Sequence, residues 1–232
     1  MRYHTIVEAT FLSRPNRFIA HVLVDGVEQI VHVKNTGRCR ELLIPGCRVY
    51  LSFEDNPHRK TKYDLVAVEK RLENGSVRLI NMDSQIVNDV AEEWLRAGNL
   101  FPSSFVIKRE VFHGKSRFDF FVEGREQKAF LEVKGVTLEQ DGVVQFPDAP
   151  TERGVKHLRE LITLAENGYD AYVLFVIQMK GVNEFRPNDA MHRAFGDALR
   201  DADAAGVHVL AYDCIVTQDS ISIDQKVPVF LG

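Results

Sequence analysis

The sequence is short of long apolar runs, of cysteine and of net positive charge. Nowhere do about 18 uncharged apolar residues follow one another, which excludes a transmembrane helix. At the N-terminus, His4 and Glu8 interrupt the chain before the apolar core of a signal peptide develops, so the expected location is the cytoplasm. Cys39, Cys47 and Cys214 are odd in number and form no C-x-x-C pair; a disulfide framework and a zinc ribbon are therefore unsupported, and the three read as reduced structural thiols. Tracts rich in Pro, Ser or Gly are absent, as are internal repeats, which leaves folded structure nearly throughout the 232 residues. That length accommodates one large domain or two modest ones.

The net charge of −4 argues against nucleic acid only if charge is spread evenly, and it is not. Residues 1–80 hold 13 Lys and Arg against 9 Asp and Glu, leaving 16 against 24 for the remainder. A basic first third beside an acidic remainder suits phosphate binding by the former and a carboxylate site in the latter.

In the first 80 residues, short apolar or alternating segments (TIVEATFL, FIAHVLVDG, EQIVHVKN, RVYLSF, YDLVAVEK, SVRLIN) lie between turn residues and predict strands. Arg38 to Leu43 predicts one short helix ending before Pro45-Gly46. Five or six strands with a short helix after the third suggest an OB-like barrel, an architecture many single-strand binders use. From Asn88 the spacing of Val90, Trp94 and Leu95 predicts a helix stopped at Gly98. VIKREVFH, SRFDFFVEG and AFLEVKGVTL then read as strands, the last two joined as a hairpin, and a loop through Phe146–Pro150 leads to a helix capped by Thr151 and ended by Asn167-Gly168. AYVLFVIQ, a helix over Asn188–Ala205 and HVLAYDCIV complete an alternation that implies a mixed sheet carrying helices. The expected domains are residues 1–82 and 83–232.

Within AFLEVKGV, Glu132 and Lys134 are two apart on a strand and share a face. A hairpin centred between Arg125 and Glu126 sets Asp119 across from Glu132. Carboxylates that close repel, which raises a pKa or recruits a cation such as Mg2+ or Mn2+; that ion takes one or two carboxylates and leaves room for phosphate oxygens. Lys134 would orient a nucleophile or offset transition-state charge at a phosphodiester. Glu126-Gln127-Lys128 and Asp224-Gln225-Lys226 fit the same triplet, but only Glu132-Val133-Lys134 has apolar flanks, where charge is costly without partners. The alternative is an Asp119/Glu132/Lys134 ion cluster that holds the hairpin. Glu93, ahead of Glu92, is the candidate further metal ligand, with a solvated helix face as the competing reading. Arg153, Lys156 and His157 stand in the first turns of a helix, where basic groups oppose the macrodipole and, with the helix N-terminus, make an anion site. The competing role is surface pairing with Glu152 or Glu160. His21 and His32 read as structural.

Several separated blocks resemble the sugar fermentation stimulation protein A (SfsA) family over essentially the whole length. They are Phe11-Leu12-Ser13-Arg14-Pro15-Asn16-Arg17-Phe18, then Asn35-Thr36-Gly37-Arg38-Cys39-Arg40-Glu41-Leu42-Leu43 with Pro45-Gly46, and Ser116-Arg117-Phe118-Asp119-Phe120. Glu132 to Leu138, and Phe146 to Ala149 followed by Thr151 to Gly154 with Lys156-His157-Leu158, complete the set. The resemblance implies an N-terminal OB-like domain, a C-terminal domain of the PD-(D/E)xK nuclease fold, DNA binding, single- or double-stranded, and a regulatory role in sugar, notably maltose, metabolism. It implies nuclease-type positions for Asp119, Glu132 and Lys134, and phosphate contact for Arg14, Arg17 and Arg38. It leaves open an active Mg2+- or Mn2+-dependent nuclease or a degenerate one that binds metal without turnover. Pro150 departs from the family pattern just before a helix, where proline is tolerated.

Overall fold

The computed structural model describes residues 1–35, 37–114 and 116–232, so Thr36 of the second block lies outside the described residues. The six apolar segments form β1 (Ile6–Asn16), β2 (Ile19–Val24), β3 (Val27–Val33), β4 (Arg48–Phe53), β5 (Tyr63–Arg71) and β6 (Val77–Asn81). β1 pairs with β2 and β4, β2 with β3, and β4 with β5; a short parallel contact of β3 with β5 closes a five-stranded barrel, which β6 extends. Period-two alternation sends Ala9 and Phe11, Ala20 and Val22, Val31 and Val33, and Val49 and Leu51 into its interior. β5 is buried on both faces from Asp64 to Val68. A bulge opposite Tyr50 and Leu51 turns Val66 and Ala67 outward, where they pack with Tyr50 against the second half of the chain.

Residues 38–43 form a turn, not the expected short helix. Leu42 and Leu43 both donate their N–H to the Cys39 carbonyl, and Cys39 has a φ of 46°. The Arg14 guanidinium explains the departure, because it takes the carbonyls of Gly37 and Arg38, each at 2.9 Å, before a helical ladder can use them.

The second half is built on α1 (Val87–Arg96), β7 (Val106–His113), β8 (Ser116–Glu123), β9 (Lys128–Val136), β10 (Leu138–Gln140), β11 (Val143–Phe146), α2 (Glu152–Glu166), β12 (Asp170–Ile177), β13 (Glu184–Pro187), α3 (Asp189–Ala204), β14 (His208–Val216) and β15 (Ile221–Lys226). Its main sheet runs β15-β14-β12-β9-β8-β7, with β9, β12 and β14 parallel and the remaining pairs antiparallel. α1 packs on one face through Val90, Ala91, Trp94 and Leu95, and α2 and α3 cover the other through Leu158, Leu161, Phe195 and Leu199. Thr151 caps α2 by accepting from Gly154 N at 3.1 Å, and Asn188 caps α3. β10, β11 and β13 form a separate three-stranded sheet. These pieces, like β15, were not expected as strands, being short or on a sheet edge. No helix among the described residues is long and apolar enough to cross a membrane.

Several links bind the halves, Lys70 and Arg78 to Glu139 among them, and two lie where the chain enters and leaves the barrel. At the chain start, Arg2 bridges Ser220, Tyr3 N donates to the Asp219 carbonyl at 2.8 Å, and the Tyr3 ring is buried with α1. Beneath it runs a buried polar joint. Asp64, fully buried, meets Lys34 at 2.8 Å, His32 at 3.2 Å and Arg59. Lys34 reaches on to Asp83 at 3.5 Å, and Gln178 Nε2 donates to Asn81 Oδ1 at 2.9 Å and to the Asp83 carbonyl at 3.0 Å.

Burial alone would raise the Asp64 carboxyl, but Arg59 and Lys34 outweigh it and hold it below the ordinary aspartate range. A carboxyl lowered by folding stabilises above its unfolded pKa and loses that contribution as pH falls through the folded one. Asp64→Asn is therefore expected to cost about 3 kcal/mol at neutral pH, the low end for breaking a buried pair because Lys34 and Arg59 keep access to water. In urea melts the gap from wild type should narrow on acidification below about pH 4; a gap that widens there contradicts the assignment.

Candidate functional site

β8 and β9 meet in the expected register. Phe120 pairs with Leu131, Phe121 with Phe130 and Val122 with Ala129, and the ladder ends at the first of these pairs, one position short of Asp119 and Glu132. Alternation nevertheless fails at Asp119. Phe118 joins the cluster under α2 while Phe120, two residues on, joins the cluster under α1. Glu110, across from this point on β7, has a φ of 53°, and the ladder is interrupted between Arg109–Phe120 and Val111–Phe118. The kink directs the Asp119 carboxylate to two donors, Val133 N at 2.7 Å and Asn88 Nδ2 of α1 at 2.8 Å.

Glu132 lies at 3 % exposure. Its Oε1 accepts from Lys134 Nζ at 2.5 Å and from His157 Nδ1 of α2, whereas its Oε2 is buried without a hydrogen-bond partner among the described residues. An ionised carboxylate only accepts, so Nδ1 of His157 carries the proton. Arg153 Nε then approaches the other ring nitrogen at 3.5 Å. Burial pushes both carboxyls upward, and the balance of partners separates them. For Glu132 the His157 bond and the Lys134 charge overcome burial and hold it below the ordinary glutamate range. For Asp119 burial and the Glu132 charge prevail over Val133 N, Lys134 and Asn88, so it stays raised.

Asp119, Glu132 and Lys134 thus come together, and His157 joins them from an unexpected side: it is buried against Glu132, not turned out to meet a phosphate. Glu93 does not join. Five residues from Asn88 on α1, it lies about 140° around the helix and pairs with the N-terminal amine at 2.5 Å. Glu92 is held by Arg96 at 2.7 Å and Arg109 at 2.9 Å. Asn88 is the residue the sequence did not single out; an uncharged amide at a helix start carries no motif. Arg153 and Lys156 are exposed at the start of α2, Lys156 at 3.7 Å from Glu160. Among the described residues no three His, Cys, Asp or Glu side chains form a metal cage. The donor set is two carboxylates, one oxygen of which is orphaned and buried, and that fits a hard cation retaining water or phosphate as its other ligands.

On the barrel, Arg14 is occupied: its guanidinium donates to the carbonyls of Asn35 at 2.6 Å and Arg17 at 2.8 Å as well as to Gly37 and Arg38. It builds the loop rather than presenting charge to a ligand. Arg17, Arg38 and Arg40 are exposed and line a cleft of about 680 Å³ with Pro15, Asn16 and Pro45. Beside them Phe18 is 52 % exposed, with the Arg17 guanidinium 5.9 Å from its ring centroid. Gly37 and Ala149 line this cleft and also a recess of about 290 Å³ that reaches Gly135, the residue after Lys134.

The architecture defines a class: an OB-type barrel fused to an α/β domain with a buried carboxylate and lysine on its central hairpin. Comparison with known proteins gives the family. Residues 12–79 match the model of the SfsA N-terminal OB domain, and residues 85–220 match that of the sugar fermentation stimulation protein RE domain. The chain belongs to the sugar fermentation stimulation protein (SfsA) family. A sugar fermentation stimulation protein homolog of Clostridium beijerinckii is 55 % identical over 231 residues, covering 100 % of both chains. One from Desulfitobacterium hafniense is 58 % identical, covering 100 % of this chain and 99 % of its own. A solved structure, described as Pyrococcus furiosus SfsA in complex with Ca2+, superposes with a TM-score of 0.85 at 27 % identity, covering 99 % of this chain and 98 % of that one.

Because Asp119 is raised, its ionised form opposes folding at neutral pH. Asp119→Asn, which keeps an oxygen for Val133 N, is expected to raise the unfolding free energy of the metal-free protein by about 1 kcal/mol. It should also remove any increase in melting temperature that Mg2+ or Mn2+ gives the wild type. Thermal melts with chelator and with metal measure both, and a destabilised metal-free variant would contradict the charge balance described.

Proposed function

We propose that this protein binds DNA, single- or double-stranded, with its backbone along the cleft that carries Arg17, Arg38 and Arg40, which meets at Gly37 and Ala149 the recess that reaches Gly135. That continuity is the observation on which the reading rests. Three guanidinium groups with few competing carboxylates attract a phosphate backbone without reading sequence. Phe18 adds a ring on which an unpaired base can stack, as in single-strand binding barrels. The role in sugar fermentation that the family name carries, and with it the role expected in maltose metabolism, would on this reading act through DNA.

A second reading, a Mg2+- or Mn2+-dependent nuclease, is favoured by the orphaned Oε2 of Glu132. Asp119 and Glu132 would hold the ion; the Ca2+ described for the archaeal relative is consistent with oxygen ligands of this kind. A divalent ion would supply positive charge against the phosphoryl oxygens and acidify water. The chain's own residues do the rest. His157 and Lys134 fix Oε1 and so aim Oε2, while Lys134, with three N–H groups and one engaged by Glu132, offers the others to a phosphate oxygen as charge develops. Arg153, near His157, adds positive charge at the start of α2.

Fluorescence anisotropy with a labelled oligonucleotide tests the binding reading. Affinity should fall about tenfold or more between 50 and 200 mM salt, and Arg17→Ala with Arg38→Ala should weaken binding and flatten that salt slope; salt-independent binding, or binding untouched by the double variant, contradicts it. Incubation with DNA and RNA, with metal or chelator, decides the second: cleavage should require metal and disappear in Glu132→Ala and Lys134→Ala. No cleavage, or cleavage that survives both substitutions, removes the nuclease reading and leaves a degenerate site.

A further inference from the structure

The recess of about 290 Å³ is lined by residues of both halves of the chain. It lies beyond the carboxyl ends of the parallel strands β9 and β12, whose last residues Val136 and Ile177 pair and whose next residue, Gln178, donates its N–H to the Val136 carbonyl at 2.9 Å. In open α/β sheets that crevice is where ligands sit. The barrel roofs it through Asn35 and Gly37. Gly37 and Gly135 let the Asp148 and Gln178 side chains approach closely: a Cβ on the first would lie 1.9 Å from Asp148 Oδ2, and one on the second 2.7 Å from Gln178 Oε1, so the carboxylate or the carboxamide would have to shift.

The polar groups facing the recess select a ligand class. Asn35, at 7 % exposure, accepts from Gly37 N through Oδ1 at 2.8 Å, which leaves its NH2 as a donor. Gln178, at 1 % exposure, has its NH2 engaged by Asn81 and the Asp83 carbonyl, which leaves Oε1 as an acceptor. Thr137 adds a hydroxyl, Asp148 a carboxylate, and Phe146 and Pro147 flat apolar walls. No Lys or Arg lines the space, and Asp148 repels anions, so a phosphate does not belong here. A donor and an acceptor set between flat apolar walls match the edge and faces of a nucleobase, and the volume is at the small end of ligand pockets, about 300 Å³.

We propose that this recess takes one unpaired nucleobase of the bound strand, while its backbone follows the arginine cleft. The inference deepens the DNA-binding reading and rests on it. A base still paired and stacked cannot enter, so the protein discriminates unpaired from paired positions by whether a base is free to leave the stack.

The test uses the full chain in chelator, so that cleavage plays no part. Two duplexes are compared by anisotropy, one fully paired and one with a single-nucleotide bulge of 2-aminopurine, whose fluorescence reports unstacking. The bulged duplex should bind at least about tenfold more tightly, with a change in 2-aminopurine emission on binding. Asn35→Asp, which keeps the acceptor for Gly37 N and loses the donor, should abolish that preference, read as the ratio of the two affinities because the added charge weakens binding of both duplexes alike. Thr137→Val, which removes a hydroxyl at nearly constant volume, should reduce it and serves if Asn35→Asp does not fold. Equal affinity for both duplexes, or a preference and emission change that survive the substitutions, overturns the base pocket and leaves binding by the arginines intact. Absence of binding to either duplex overturns both readings.

Discussion

A carboxylate buried in the middle of an apolar sheet is the constraint around which the second half is arranged. Removing a charge from water costs several kcal/mol, so Glu132 persists only because other elements supply it with partners. One comes from its own strand, two residues on, and the other from α2, whose register is set by the Thr151 cap. Both donors converge on a single oxygen, so compensation is incomplete and the second oxygen is left buried without a partner among the described residues.

The same logic distinguishes the two carboxyls. Asp119 has neutral donors, an amide N–H and the Asn88 carboxamide, which with the Lys134 charge do not offset its burial and its neighbour's charge; Glu132 has a lysine and a histidine. The local strain at Glu110 and the switch of Phe118 from one face of the sheet to the other accompany this arrangement. Backbone distortion of this kind concentrates where a site needs side chains in positions a regular strand cannot provide.

How much of this was legible in the sequence follows from the range of each interaction. Barrel strands, both capped helices and the hairpin register are local or nearly so, and alternation, Thr151, Asn188 and the length of the Gly124–Gln127 turn carry them. Glu132 and Lys134 share a face for the same reason. What escaped was non-local. Asn88 meets Asp119 across 31 residues, and nothing in its own neighbourhood marks it. Glu93 was favoured by type and placed wrongly by rotation about α1. His157 was expected at a phosphate because basic residues in a helix's first turn make an anion site, and Arg14 because the resemblance implied it; the partners the structure gives them are Glu132 for the first and four loop carbonyls for the second. The expected turn of helix at 38–43 failed through that same Arg14.

The bridge from Arg2 to Ser220 and the burial of Tyr3 with α1 alter what the barrel is in the chain. It does not hang from the α/β domain by one linker. Its polypeptide leaves that domain after Tyr3 and returns to it at Asn81, so in topology it is a module inserted near the beginning of a single scaffold, held at both ends. Rotation of one half about a hinge would require breaking two seams at once. The arginine cleft and the central hairpin therefore belong to one block of chain, joined where the polypeptide enters the barrel and again where it leaves it.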